Sequence, residues 1–328
     1  MPTAMQVSFI IPLYNCLAHT RECLRTLQST LPAGLAHEII FVDDGSTDGT
    51  REWLHVLPAP CRAILNEKNL GFAGACNRGA ANATGEILLF LNNDLVLLPG
   101  WFEPMRTVFA RHSDAALVGN VQRNAATGAV DHAGIFFNYQ GKPEHLRSLP
   151  LASRLSPLAS IRPVAALTGA CFAIRRAVWQ QLGAFDEGFA NGGEDVDLCL
   201  RARASGRRNY VALRSVVRHH VSASPGRKLR DEQNSLRLFQ RWRGTIALLS
   251  GRDWCRRQIA AHADQSGVFD YPMLYAALGC LLLPLRSIPL AVQTGVAVAL
   301  DTEHERWREL LEKAAPPPPA PAGRTDQL

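Results

Sequence analysis

Through the first third of the chain, short apolar runs alternate with longer amphipathic stretches. Val7–Ile11 and Glu38–Val42 are of strand length, end at Pro12 and Asp43, and flank a helix-compatible stretch near residues 19–30. Ala63–Leu65 and Ile87–Leu91 repeat the rhythm. Capping or turn residues predict helices after Asp48, near Phe72 and at Pro99-Gly100-Trp101. Successive βαβ units predict an α/β fold with a doubly wound, mostly parallel sheet. Ligands of such sheets gather outside the carboxyl ends of the strands. Tyr14-Asn15, Asp43-Asp44, Asn66 and Asn92-Asn93-Asp94 all fall at those ends, so four loops are expected to converge on one crevice.

Past residue 115 the pattern is less regular. Short strands are expected near 116–121 and 130–138, followed by a polar, proline-containing loop over 140–162, a length that usually carries function. Pro163–Ile174 reads as one buried strand and 175–182 as a helix. Glu194–Ser205 reads as a helix ending at Gly206, with Asp195 in its first turn. Residues 271–300 carry one formal charge, Arg286, but Pro272, Pro284 and Pro289 divide them into apolar runs shorter than the roughly 20 residues that span a bilayer. The tail from Ala314, with Pro316–Pro319, reads as disordered. This divides the chain into an α/β domain (1–225), a basic then apolar helical appendage (226–313) and a proline-rich tail (314–328).

Composition narrows the classes. A chain of 328 residues, 47% hydrophobic and 20% charged, buries a full core and is not a disordered protein. The net charge of +6 is local: residues 201–257 hold 15 basic and 3 acidic side chains, leaving the remainder at −6. No aromatic-interleaved platform accompanies this stretch, which argues against nucleic acid as a partner. Two readings of 226–300 stay open: peripheral contact with an anionic membrane leaflet, or packing on the α/β domain or a second copy. The eight cysteines form no C-x-x-C pair and no framework spacing, so a reducing cytoplasm is expected, at most peripheral to the inner face of the plasma membrane. Residues 1–15 lack the basic start and long apolar run of a secretory signal.

The carboxylates carry the chemistry. Asp43-Asp44 in FVDDGSTDGT, Asp94 in LLFLNND and Glu194-Asp195 in GGEDVDLCLR each open or follow a regular element, as a metal-diphosphate site with a separate general base requires. Taken alone, FVDDGSTDGT equally suits an acidic turn capping a helix. The ordered series SFIIPLYN, FVDDGSTDGT, NLGFAGACNRG, LLFLNND, LTGACFAIRR, GGEDVDLCLR and RHHVSAS, over roughly residues 5–225, resembles the family 2 inverting glycosyltransferases of GT-A fold, especially their rhamnosyltransferase-like branch. The resemblance implies transfer of one sugar, with inversion, from a UDP- or dTDP-sugar to a glycan or lipid-linked acceptor in bacterial-type surface polysaccharide synthesis.

Its implications extend to single residues. Asp44 would accept from the base N–H of a pyrimidine nucleotide and Asp43 would order the loop, with Pro12, Tyr14 and Asn15 framing base and ribose. Asn69 and Gly71 would allow ligand approach, Gly74 and Ala75 tight packing, and Arg78 would offer a cation toward phosphate. LLFLNND stands where the family carries a D-x-D-type metal site, yet only Asp94 is a carboxylate and Asn92 is neutral, so metal and donor would bind together. His219, rather than His220, would add an imidazole, favouring manganese over magnesium. Asp195 would be the general base beside Glu194. Asp197 would order the helix or contact acceptor hydroxyls, and Thr168-Gly169 would shape the acceptor pocket. Gln240-Arg241-Trp242 departs from the Q-x-x-R-W of processive synthases, which favours a distributive enzyme. A nucleotidyltransferase would need a glycine-rich basic loop that SFIIPLYN lacks. A catalytically inactive sugar-nucleotide-binding or scaffold protein is the alternative.

Overall fold

The computed structural model describes residues 6–155, 160–220, 227–264, 271–283 and 288–314. Four parallel strands form one half of the central sheet: β1 (Val7–Leu13), β2 (His37–Asp43), β3 (Cys61–Leu65) and β4 (Ile87–Leu91), in the order β3-β2-β1-β4. Every residue of β1 and β4 is buried, as strands covered on both faces require. Between them run helices α1 (Leu17–Thr30), α2 (Thr50–His55) and α3 (Gly71–Ala81). Register places the site: Leu13 pairs with Asp43 and Asp43 with Leu65, so Tyr14, Asp44 and Asn66 leave the sheet side by side. Asp48 serves two helices at once, accepting from Leu17 N of α1 at 3.0 Å and from Thr50 N of α2 at 3.3 Å.

The second half is mixed. After β5 (Leu95–Leu97) and α4 (Phe102–Arg111) come β6 (Ala115–Asn124), β7 (Val130–His132), β8 (Ile135–Phe137), β9 (Pro143–His145), α5 (Leu151–Leu155), β10 (Ile161–Val164), β11 (Cys171–Arg175), α6 (Arg176–Leu182), α7 (Glu194–Ala204) and β12 (Arg208–His219). β11 inserts antiparallel between β4 and β6, and the sheet continues through β12 to β10, while β8 and β9 form a separate hairpin. Pro163–Ile174 is therefore not one strand. Its N-terminal part pairs with β12 and its C-terminal part with β4 and β6, and residues 165–170 cross between them. An apolar run does not record which neighbour each half meets. Phe90 and Phe172 stack at 4.7 Å across the β4–β11 pair, closed over by Trp179 and Phe185.

Three C-terminal helices follow: α8 (Arg227–Asp264), α9 (Tyr271–Leu282) and α10 (Leu290–Ala314). They share the hydrophobic cluster under the sheet through Leu238, Phe239, Trp254, Val296 and Trp307. α8 leaves helical geometry at Trp242 (φ −122°, ψ 18°), where the indole N–H donates to Asp197 at 2.8 Å. Much of the basic stretch pairs within the chain: Arg237 and Arg241 meet Asp186 at 3.1 Å, Arg243 meets Asp301 and Arg201 meets Asp197. Packing on the α/β domain is thus the arrangement observed for the appendage. Among the described residues no helix is long and apolar enough to cross a membrane. Beyond Ala314 the proline-rich tail lies outside the described residues, as does RHHVSAS beyond His220.

α3 lies on β1 and β2 because Gly79 gives it room. A Cβ there would stand 2.5 Å from Ile10 Cγ2 and 2.9 Å from Val42 Cγ2. Gly79→Val is expected to cost about 2–3 kcal/mol by overpacking. Urea denaturation should show this as a lowered midpoint at unchanged slope.

Candidate active site

The two adjacent aspartates at the end of β2 do different work. Asp43 is fully buried and accepts from Arg51 Nε at 2.6 Å and from the N–H groups of Gly45 and Ser46 at 3.3 and 3.2 Å, which fixes the turn. Asp44, 4% exposed, accepts from Asn66 Nδ2 and Leu70 N at 2.8 Å and from Gly71 N at 2.9 Å. A negative charge is thereby held on otherwise unpaired N–H groups at the start of α3, where the helix dipole favours it. Asn191 Oδ1 takes the next one, Phe72 N, at 2.9 Å.

Several residues expected at the nucleotide build the loop itself. Asn69 donates to Asp44 O and accepts from Gly71 N, and Gly71 adopts φ +76°, a conformation that favours glycine. Arg78 Nη1 donates to Asn66 Oδ1 at 2.7 Å, which buttresses the partner of Asp44. Pro12 is buried inside β1 and supports the strand end, whereas Tyr14, 54% exposed, presents its ring at the rim. Asn15, at φ 58°, accepts from Thr47 N at 2.8 Å and donates its own N–H to Ser46 Oγ, which ties the first loop to the second.

The third loop approaches β12. Leu95 pairs with His219, so the preceding Asp94 comes to rest against that strand's end, and Asp94 O accepts from His220 N at 3.1 Å. His219 Nε2 stands 3.1 Å from Asp94 Oδ1. Asp94 Oδ1 and Asn92 Oδ1 are both buried with no hydrogen-bond donor. Orphaned buried oxygens are costly. A carboxylate oxygen beside an imidazole nitrogen, with the amide oxygen of Asn92 in the same cleft, is a donor chemistry that fits a divalent cation.

The fourth group opens α7 after Gly192 and Gly193, at φ 147° and 91°. Asp195 is partly exposed, and its carboxylate accepts from Gly169 N at 2.6 Å and Val196 N at 2.7 Å. Glu194 is buried and accepts from Gly192 N at 2.7 Å. Burial, and then the neighbouring Asp195 charge, push the Glu194 carboxyl up to about 8. Burial also raises Asp195, but its two N–H donors oppose the rise. Burial thus favours the protonated form of Glu194, and the two carboxyls share their protons as one pair. Asp197 corrects the acceptor reading. It is fully buried and bound by Arg201 Nε and Trp242 Nε1 at 2.8 Å and by Arg241 at 3.2 Å, so it orders the helix and does not line the cleft.

Asp94, His219, Thr168, Gly169, Glu194 and Asp195 line one cleft of about 530 Å³. Asp44 stands behind its wall rather than in it, because its oxygens are turned into the start of α3. Sequence reasoning missed part of the lining: Lys142 and His145 around the β8–β9 hairpin, and Asp231, Asn234 and Ser235 on α8. The long polar loop flagged the first pair. The α8 residues had no such signal, since they are ordinary polar positions in a run dominated by arginine.

The unfolded chain releases the Glu194 proton near the ordinary 4.5, while the native state holds it until about 8. The native state thus binds the extra proton, so this contribution is complete below 4.5 and is lost as pH rises toward about 8. Glu194→Gln cannot ionise. Calorimetry should find its Tm close to wild type at the acid end of that window and higher at the alkaline end, by about 1.5 °C for each kcal/mol recovered.

Residues 8–183 match the family model described as Glycosyl transferase family 2, and residues 100–300 match that of Glycosyl transferase family group 2. The chain is 31% identical over 229 residues to the O-antigen biosynthesis protein RfbC of Myxococcus xanthus, covering 67% of this chain and 18% of that protein. It is 25% identical over 299 residues to the inactive polypeptide N-acetylgalactosaminyltransferase-like protein 5 of Mus musculus, covering 85% of this chain and 67% of that one. The chain therefore spans only a small part of the bacterial relative. Among solved structures, GalNAc-T7 with UDP, GalNAc and Mn2+ aligns at a TM-score of 0.61 and 16% identity, over 84% of this chain and 54% of that one, a likeness in fold. With a GT-A sheet and a family match over more than half its length, the chain belongs to glycosyl transferase family 2.

Proposed function

We propose that the protein is an inverting glycosyltransferase that passes a single sugar from a UDP- or dTDP-sugar to a glycan or lipid-linked saccharide, with a divalent cation, manganese in preference to magnesium. The observation that carries this is the shared cleft: the Asp94–His219 pair and the carboxylate of Asp195 line the same cavity. Asp94, His219 and Asn92 would hold the cation. When bound, it neutralises the negative charge that develops on the departing diphosphate. On the nucleotide side, Tyr14 and Asn15 would frame the base on loops braced by Asp43 and Arg51, while Asp44 and Arg78 act from behind, holding the start of α3 and Asn66 in place.

Asp195 takes the proton of the acceptor hydroxyl as that oxygen forms its bond to the anomeric carbon. The bond to the diphosphate breaks on the opposite face, and configuration inverts. Gly169 N–H fixes the carboxylate for this task, and Thr168 and Gly169 border the acceptor. Glu194, buried and held by Gly192 N–H, supports the turn from which Asp195 enters the cleft. A role in surface polysaccharide synthesis is supported by the name of the Myxococcus relative, and dTDP donors by the resemblance to rhamnosyltransferase-like enzymes. Tyr271, Tyr275 and Leu282 project outward from α9, a surface suited to a membrane-borne acceptor. Eight cysteines without a disulfide suit the reducing cytoplasm where nucleotide sugars are made.

The inactive relative makes a binding-only protein the rival reading. Asp195→Asn should reduce transfer by roughly 10²–10⁴-fold. Titration calorimetry should find its affinity for UDP unchanged, and equal losses of binding and turnover would reject the base assignment. Asp94→Ala should weaken UDP binding roughly 10- to 100-fold with manganese present and little without it. A defect that ignores the metal would remove Asp94 from the cation site.

A further inference from the structure

A second cluster of ligand-type side chains lies beside the donor-side pair and takes no part in the reaction above. We infer that His19, Glu22 and His220 form a separate transition-metal site, of the two-imidazole, one-carboxylate kind that selects zinc, clipping α1 to the end of β12. Their ligand atoms all lie within 4.8 Å of one another. His220 Nε2 is 4.0 Å from a Glu22 carboxylate oxygen, and the rings of His19 and His220 lie 4.7 Å apart, tilted by 37°.

The fold explains why these three meet. α1 rests its first turns on the Asn92-Asn93 loop: Asn93 Nδ2 donates to Thr20 Oγ1 at 2.9 Å, and Cys23 Sγ donates to Asn92 O at 3.6 Å. His19 and Glu22 are three apart, hence neighbours on the helix surface, and they flank the face that carries Thr20 and Cys23. Successive residues of a strand point to opposite sides. His219 thus turns to Asp94 and the cleft while His220 turns toward α1, and the bond from His220 N to Asp94 O fixes its starting point. One strand end accordingly serves two sites.

The donor set speaks for zinc. Two imidazole nitrogens and one carboxylate oxygen leave a fourth, open position of a tetrahedron for water. Magnesium and calcium prefer oxygen-only sets. Zinc–ligand bonds of about 2.0–2.2 Å place ligand atoms roughly 3.4 Å apart, so the cluster has to close by little more than about 1 Å. All three side chains are partly exposed and can turn. The competing partner of Glu22 is Arg25 at 3.8 Å, an exposed pair one turn along the helix that holds the carboxylate weakly.

The test titrates zinc into the full chain against a chromophoric chelator, for wild type, His19→Ala, Glu22→Gln, His220→Ala and Asp94→Asn, with circular dichroism to establish that each is folded. His220→Ala keeps the backbone N–H that holds Asp94 O. Wild type and Asp94→Asn should each take one tight equivalent. The other three should lose affinity by more than the roughly 10- to 100-fold that changes outside a ligand set cause. Zinc should raise the Tm of wild type and leave that of Glu22→Gln unmoved. Tight uptake that survives all three ligand variants, uptake abolished by Asp94→Asn, or a wild type that binds no zinc would each overturn the assignment. None of these outcomes depends on the transfer reaction.

Discussion

A carboxylate withdrawn from water costs several kcal/mol unless its oxygens find donors or it keeps its proton. The cleft is built on four that are at most 4% exposed: Asp43, Asp44, Glu194 and Asp197. Each meets the constraint differently. Asp43 uses a guanidinium and turn N–H groups, Asp44 the start of α3 and an amide, Asp197 two arginines and an indole. Glu194 retains its proton. Because the partners are remote in sequence, satisfying these charges also fixes how β2, α3, α7 and α8 lie relative to one another. Removing one partner would leave a buried charge alone, the more costly half of the comparison.

The groups left unsatisfied are as informative. Of nine buried side-chain atoms without a hydrogen-bond partner among the described residues, three, Asp94 Oδ1, Asn92 Oδ1 and Gln122 Nε2, belong to residues that border the cleft. Unmet polar groups gather where a ligand supplies the missing contacts. The contrast between Asp44 and Asp94 makes the point: two aspartates at strand ends of the same sheet, one fully engaged by protein, the other open.

Much of the nucleotide-side half was legible because its information is local. Strand-length apolar runs, each closed by a turn residue, specify parallel neighbours, and the side-by-side exits of Tyr14, Asp44 and Asn66 follow from register alone. Asp195 in the first turn after two glycines was legible for the same reason. What failed was partner choice. Pro163–Ile174 is apolar throughout, yet its halves pair with different strands. Asp44 and Asp197 looked free because their partners, Leu70 N and Trp242, lie 26 and 45 residues away. The arginines of α8 left membrane contact and packing both open because Asp186 and Asp197, which meet them, lie in another part of the chain.

The geometry of α7 explains why the C-terminal helices belong to the site. At about 100° per residue, positions 195 and 197 point some 200° apart, so one face of the helix turns Asp195 to the cleft and the opposite face carries Asp197, the anchor. The anchor is held by Arg241 and Trp242 at the point where α8 bends. Ahead of that bend, Asp231, Asn234 and Ser235 reach back around the end of α7 into the cleft beside Asp195. Glu232, one residue along, binds Lys142 at 3.1 Å and Arg306 at 2.7 Å, which draws the β8–β9 hairpin and α10 into the same wall. The appended helices and α7 therefore form one mechanical unit. A change at Trp242 would reach Asp195 through Asp197 without touching any group in the cavity.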